Sequence, residues 1–309
     1  MKVLFVVNPA AGHDRGLARW GKGRALAAAL WPKHAISVTE RPGHGRELTR
    51  AAILAGTELV VAVGGDGTLG EVVDGYLSVP AAGRTGASIA TLPAGSGCDF
   101  SRHMGVPRNP EAWAAAMSAA MSSGRRKHVD AALASFRTGD GALRSRHFLN
   151  VAALGLAGDV AVGVEKRGKA LGGTLTYLLE GLFAVAGARP KRMKLVVDGR
   201  EESPTEYHMV AAANTSTIGG GMKLAPEADA QDGLLDLLTV GALSRMELLR
   251  LMPSIYAGGH VGATGIVLRR ARRIEIYPDE PLALNLDGDL DGFAPAVFEA
   301  LPNAISFLL

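Results

Sequence analysis

Glu58-Leu-Val-Val-Ala-Val63-Gly64-Gly65-Asp66-Gly67-Thr68-Leu69-Gly70-Glu71-Val72-Val73 is the stretch on which the fold turns. Glu58–Val63 is a β-branched apolar run, read as a buried strand. It enters a cluster of glycines directly, and a helical pattern follows over Glu71–Tyr76. Strand, glycine turn and helix in that order let backbone N–H groups approach phosphate oxygens, with the helix dipole adding attraction. Taken alone, the same residues also make an ordinary tight turn. Residues 65–70 satisfy G-x-G-x-x-G, but the dinucleotide version wants a carboxylate at the end of the next strand. That strand ends Ala90-Thr91-Leu92-Pro93, with none. Asp66 suits a pyrophosphate only through a cation, which points to Mg²⁺ and phosphoryl transfer rather than hydride transfer.

Around this stretch, strands and helices alternate. Lys2–Val7 reads as a strand closing on Asn8-Pro9-Ala10-Ala11-Gly12. Leu17–Leu30 is helical, His34–Thr39 a strand and Gly45–Leu54 a helix. Ser88–Leu92 is a fourth strand, followed by Pro93-Ala94-Gly95-Ser96-Gly97. Such alternation predicts a parallel α/β sheet with its ligand at the carboxyl ends of the strands. After about Gly124 the pattern changes. Short strands are predicted at Phe148–Ala153, Lys194–Val197, Tyr207–Ala213, Leu234–Val240, Ile266–Leu268, Arg273–Tyr277, Leu282–Leu286 and Ala304–Leu309, with helices near Gly172–Val185 and Ser244–Tyr256. The expectation is α/β plus all-β. Residues 1–124 form a nucleotide domain; residues 125–309 form an antiparallel β domain whose C-terminal segment can pack back on the first.

Composition narrows the class. The chain has 309 residues, 48% hydrophobic and 20% charged, which excludes a disordered chain. Cys98 is the one cysteine, so an intrachain disulfide and a multi-cysteine zinc cluster are excluded, and a reducing cytoplasm is the expected setting. The first apolar run is too short for a signal-peptide core, and no window long enough to span a bilayer is free of charges and breakers. A net charge of +3 does not call for nucleic acid; it suits an anionic cofactor or an anionic membrane surface.

Gly64-Gly65-Asp66-Gly67-Thr68 resembles the signature of the diacylglycerol kinase catalytic domain, a superfamily that includes sphingosine kinases and bacterial soluble lipid kinases and is distantly related to NAD kinases. The resemblance runs along nearly the whole chain. It takes in Asn8–Gly12, Thr39 with Gly43-His44-Gly45, and Leu92–Phe100. It continues through Asn150 with Gly155, Gly219–Gly221, Pro226, Asp232–Asp236, and Asp287-Gly288-Asp289 with Pro295. The chain departs from the family pattern at Gly70 and Cys98, where Asn is frequent, and at Asp289, where Glu is usual.

The resemblance implies a Rossmann-like nucleotide domain, a C-terminal β-sandwich and an active site in the cleft between them. It implies ATP at Asn8, Thr39, Gly64, Gly65, Asp66, Gly67, Thr68, Leu69, Gly70, Gly95, Ser96 and Asp99. Asp287 would be the base that takes the lipid hydroxyl proton, with Asp66 also in the catalytic set. Asp66, Asp99 and Asp130 match acidic positions around metal and phosphate, and a structural Mg²⁺ would sit on Asp229, Asp232 and Leu234. The implied activity is an ATP- and Mg²⁺-dependent lipid kinase working from the cytoplasm at the inner face of the membrane, with a homodimer left open. The alternatives are an NAD kinase-like or sphingoid-base kinase, or a silent lipid- or nucleotide-binding protein, the last motivated by Gly70 and Cys98.

Simpler readings stand beside these. Asp287-Gly288 alone is a good type I′ hairpin turn, and Asp232-Gly233 could equally be only a turn. His13, His44, His103, His208 and His260 lack metal-ligand spacing. The clusters Lys166-Arg167-Lys169, Arg189-Lys191-Arg192-Lys194 and Arg269-Arg270-Arg272-Arg273 are ordinarily solvated faces. For a lipid kinase they are also candidate contacts with anionic headgroups.

Overall fold

The computed structural model describes residues 1–12, 15–167 and 184–309. Its elements in chain order are β1 (Val3–Val7), α1 (Arg15–Leu30), β2 (His34–Val38), α2 (His44–Leu54), β3 (Leu59–Gly64), α3 (Asp66–Leu77), β4 (Ser88–Pro93), α4 (Asp99–His103) and α5 (Pro110–Ser123). There follow β5 (Arg126–Arg137), β6 (Leu143–Phe148), β7 (Val151–Gly155), α6 (Leu156–Arg167), β8 (Lys191–Val197), β9 (Arg200–Glu201), β10 (Thr205–Ala213) and β11 (Leu235–Gly241). The last are α7 (Arg245–Leu251), β12 (Ile266–Ala271), β13 (Arg273–Pro278), β14 (Ala283–Leu286) and β15 (Asp289–Leu308). Two compact units result: Met1–Val129 with Asn303–Leu309, and Asp130–Pro302. The transition expected after Gly124 falls at 129/130, inside β5, because one continuous strand carries the chain out of the first unit.

In the first unit β4, β3, β1 and β2 lie side by side, all parallel. The end of β15 joins β4, also parallel, at Phe307 opposite Ile89. Every residue of β1, β3 and β4 is buried, as expected of a parallel sheet covered on both faces. Phe5 packs against Trp20, Trp31 and His34. Trp113 of α5 donates its indole N–H to the Thr91 carbonyl at 2.8 Å, fixing that helix to β4. Helix α5 had readable signals: Asn109 caps the Ala112 N–H at 2.9 Å, Pro110 opens the first turn and Gly124 closes the last in a left-handed conformation.

The second unit is antiparallel throughout. Strands β12, β11, β10, β7, β14 and β15 form one path. β10 also pairs with β8, β8 with β13, and β13 with β15. Strands β10, β7, β14, β15, β13 and β8 therefore form a closed ring with no free edge inside it. Phe148, Leu154, Leu195, Ile274, Ile276, Leu284 and Phe298 fill the inside. A second cluster covers the other face of β7, β10 and β11, where Leu248 of α7 packs.

Several elements differ from expectation. The helix placed at Glu71 begins at Asp66, so Asp66–Gly70 are its first turns rather than loop. Helix α6 and strands β5 and β6 were not foreseen: β6 reads Leu-Arg-Ser-Arg-His-Phe, a polar strand recognisable only from its pairing with β5. The helix over Ser244–Tyr256 is α-helical to Leu251 and then tightens to a 3₁₀ turn at Pro253, which lacks an N–H. Most of the helix expected over Gly172–Val185 lies outside the described residues, as do the side chains of Lys166, Arg167 and Lys169. Among the described residues, no helix is long and apolar enough to cross a membrane.

Phe298 is fully buried and meets Phe148 edge-on at 6.0 Å between ring centroids. Phe298→Ala should lower unfolding free energy by about 3–5 kcal/mol, read as an earlier urea midpoint. An unchanged midpoint would contradict the closed-barrel packing.

Candidate active site

The first unit presents three loops at the carboxyl ends of its strands, and their backbones are in contact. Ala94 and Gly95 both donate N–H groups to the Gly64 carbonyl, at 2.7 and 3.0 Å, and Asn8 donates to the Val63 carbonyl at 3.0 Å. A Cβ at Gly95 would overlap the Cα of Gly65, and one at Gly12 would stand 2.6 Å from the Ala94 carbonyl oxygen. These glycines are required because loop packs against loop, before any ligand is considered. The Asn8 side-chain amide donates to the Thr68 hydroxyl at 3.0 Å, joining the first loop to α3.

Carboxylates hold the loops in place. Asp66 accepts the N–H groups of Asp99 and Phe100, each at 3.0 Å, and so caps α4. Burial, with Asp99 close by, pushes the Asp66 carboxyl above its ordinary range. Glu71 accepts from Gly43 at 2.7 Å and Gly45 at 2.9 Å, which fixes the loop after β2 that carries Thr39. Glu71 was not singled out in the sequence, because its partners are 26 and 28 residues away. Arg108, also not foreseen, donates to the carbonyl of Gly95 at 2.6 Å and reaches those of Ser96 and Gly97 at 3.4 Å. Arg19 and Arg102 approach the same loop. Buried Cys98 adopts φ 53°, and burial pushes its thiol up to about 11, so it is an inert space-filler.

In the second unit Asp287 and Gly288 form the turn between β14 and β15, both with positive φ. The turn reading of Asp287-Gly288 therefore holds. The Asp287 carboxylate accepts three backbone N–H groups, from Leu149 and Asn150 at 2.8 Å and Val151 at 2.9 Å. Burial pushes its carboxyl up to about 6; the three N–H donors and Arg146 oppose that shift without cancelling it. Asn214 braces the same segment: its amide donates to the carbonyls of Leu149 at 2.8 Å and Asp130 at 3.2 Å.

Asp130 is fully buried and accepts the Gly233 N–H at 2.7 Å, anchoring the loop that holds Asp229, Asp232 and Leu234. In that loop Asp232 accepts the Leu234 N–H at 2.9 Å and lies 3.7 Å from Arg270. Asp236, below the loop, is 3% exposed, and burial pushes its carboxyl up to about 6. The loop offers carboxylate and carbonyl oxygens in a neighbourhood of surplus negative charge, a donor set that fits a hard cation. Among the described residues no group of three His, Cys, Asp or Glu side chains is arranged for a metal, so any ion here relies partly on backbone carbonyls.

A parallel α/β unit with glycine-packed strand-end loops, together with a closed antiparallel β unit bearing a half-buried turn aspartate, defines the NAD kinase/diacylglycerol kinase-like class. Residues 2–134 match the diacylglycerol kinase catalytic domain, and residues 150–309 match the YegS C-terminal NAD kinase beta sandwich-like domain. A diacylglycerol kinase of Mycobacterium tuberculosis is 32% identical over 99% of this chain and 94% of its own length. One from Bacillus subtilis is 28% identical over 100% and 96%. A Bacillus anthracis crystal structure assigned as a diacylglycerol kinase superposes with a TM-score of 0.79 at 26% identity, covering 99% of this chain and 94% of that one. The chain belongs to the diacylglycerol kinase family and is an enzyme of the lipid-kinase class.

Two substitutions test the loop architecture. Gly95→Ala should push loops 64–65 and 94–95 apart at a cost of about 1–3 kcal/mol, with faster amide exchange at 64–70 and 94–100. Glu71→Ala should free the Gly43 and Gly45 amides and raise exchange there alone. Unchanged exchange in either variant would refute the corresponding contact.

Proposed function

We propose that this enzyme transfers the γ-phosphate of ATP, taken as its magnesium complex, to a hydroxyl of diacylglycerol or a closely related lipid. The observation that carries the reading is Asp287, a carboxylate gripped by three backbone N–H groups with its carboxyl pushed up to about 6. A lipid hydroxyl is a poor nucleophile at neutral pH. A fixed carboxylate, mostly ionised at pH 7 yet more basic than an ordinary aspartate, is suited to take its proton as the phosphoryl group arrives.

In this reading the loop N–H groups of 64–70 and 95–96, with Asn8, Thr39 and Asp99, bind the nucleotide. Asp66 serves as the tie between the β3 and β4 loops, since both its oxygens already accept N–H groups. Asp229, Asp232 and Leu234 would hold the structural Mg²⁺ through oxygen ligands. When bound, that ion supplies charge neutralisation to the loop, and the chain's own residues carry the transfer. The enzyme works from the cytoplasmic side, where lipid acceptors meet ATP.

Transfer of label from γ-labelled ATP into a lipid panel in mixed micelles, beside Asp287→Asn, tests the proposal. The variant should lose about 10²–10⁴-fold in turnover. Label in no lipid, or an unaffected variant, would overturn the substrate and the base respectively. The base must be ionised, so kcat/KM should fall as pH drops through about 6; a flat profile from pH 5 to 8 would remove Asp287 from the role. Mg²⁺ that binds only the folded chain raises its melting temperature. That rise should shrink in Asp232→Asn, while an equal rise in both proteins would place the ion elsewhere.

A further inference from the structure

Eleven large hydrophobic side chains are exposed among the described residues, and five of them lie within 246–267. Met246 (57% exposed), Leu249 (36%), Tyr256 (40%) and Val261 (39%) project from the excursion between β11 and β12, and Val267 follows at the start of β12. Helix α7 shows the pattern most clearly. At about 100° per residue, Arg245, Leu249, Met246 and Arg250 follow one another around one side of the helix. Leu248 faces the opposite way and is buried in the core. The outward face thus has an apolar centre with an arginine on each edge.

The surrounding charge marks this face out. Lys191, Arg192 and Lys194 pair with Glu280, Asp279 and Glu201. Arg269 pairs with Glu202, Arg270 with Asp232 and Asp236, and Arg273 with Glu275 and Glu299. Arg245 and Arg250 are exposed and enter none of the ion pairs among the described residues. The one acid of α7, Glu247, is committed to its capping box, accepting the Ser244 N–H at 2.7 Å. The two basic clusters whose side chains are described are therefore largely ion-paired, whereas Arg245 and Arg250 flank exposed apolar side chains without an ion pair.

We propose that α7 and the turn after it, through Val261, form a docking surface for an anionic lipid bilayer. Met246, Leu249 and Tyr256 would enter the headgroup boundary, and Arg245 and Arg250 would engage lipid phosphates from either edge. Exposed apolar side chains gathered in one excursion and edged by polar residues mark an interaction surface. Charge selects the occupant. Self-association across a twofold axis would set like-charged rims against each other, with Glu247, already tied to its capping box, as the one carboxylate of the helix, whereas an anionic membrane complements both arginines. The inference rests on the lipid-acceptor reading only for its purpose; the surface is argued from exposure and charge.

Leu249→Cys carrying a polarity-sensitive fluorophore tests it in the full-length protein. Cys98 is buried with a thiol pushed up to about 11, so labelling falls on position 249. Emission should shift to the blue on vesicles of equal phosphatidylglycerol and phosphatidylcholine, and much less on phosphatidylcholine alone. No shift on the mixed vesicles overturns the proposal. Arg245→Gln with Arg250→Gln, both exposed and remote from the core, should weaken sedimentation with mixed vesicles at least tenfold, at about fivefold per arginine. Turnover on a short-chain diacylglycerol dispersed as monomers should stay unchanged. Unchanged vesicle affinity overturns the proposal, as does light scattering that finds a dimer in the parent and a monomer in Met246→Asp. Because binding is read without turnover, a protein that docks but phosphorylates no lipid would sink the proposed substrate and leave the surface standing.

Discussion

A loop that leaves a sheet carries backbone N–H groups with no ladder partner, and in this protein carboxylates collect them. Asp66 takes the N–H groups of Asp99 and Phe100, and Glu71 those of Gly43 and Gly45. Asp287 takes those of Leu149, Asn150 and Val151, and Asp130 that of Gly233. In each case the carboxylate comes from a different element than the loop it holds. An orphaned N–H in a packed region costs about 1–3 kcal/mol, so these ties settle which loop conformations are tolerated. The loop after β2, the start of α4 and the segments at 149–151 and 233 are braced in this way; the Asn8–Gly12 loop is held instead through Asn8.

The same device sets the electrostatics. A carboxylate pulled from water should become harder to ionise, while donated hydrogen bonds should make it easier. At Asp66 and Asp287 burial wins despite two and three backbone donors, and both carboxyls sit above their ordinary range. For the base proposed at Asp287, which would accept a proton near neutral pH, that balance is useful. At Asp287 the donors hold the carboxyl below where burial alone would put it, and burial holds it above an ordinary aspartate.

Much of the fold was legible. Short buried β-branched runs ending in glycine loops specify a parallel sheet, because strands covered on both faces need apolar residues at every position. The later short strands specified an antiparallel domain. The misses have local causes. Helix α3 begins at Asp66 because the glycines that look like loop are tolerated in its first turns. Strand β6 is polar and is defined by its partner. The basic clusters looked available because sequence does not reveal that Arg269 meets Glu202, 67 residues away.

The sequence by itself determined the two kinds of sheet, the positions of the strand-end loops and the glycines and carboxylates of the candidate site, because those follow from local periodicity and from motifs a few residues long. Only the tertiary structure decided what holds each of those residues. Glu71 reaches Gly43 across 28 positions, and Asp287 reaches Leu149 across 138. Pairings of that span depend on which strands lie side by side. The raised carboxyl of Asp287 depends in turn on how far its surroundings withdraw it from water.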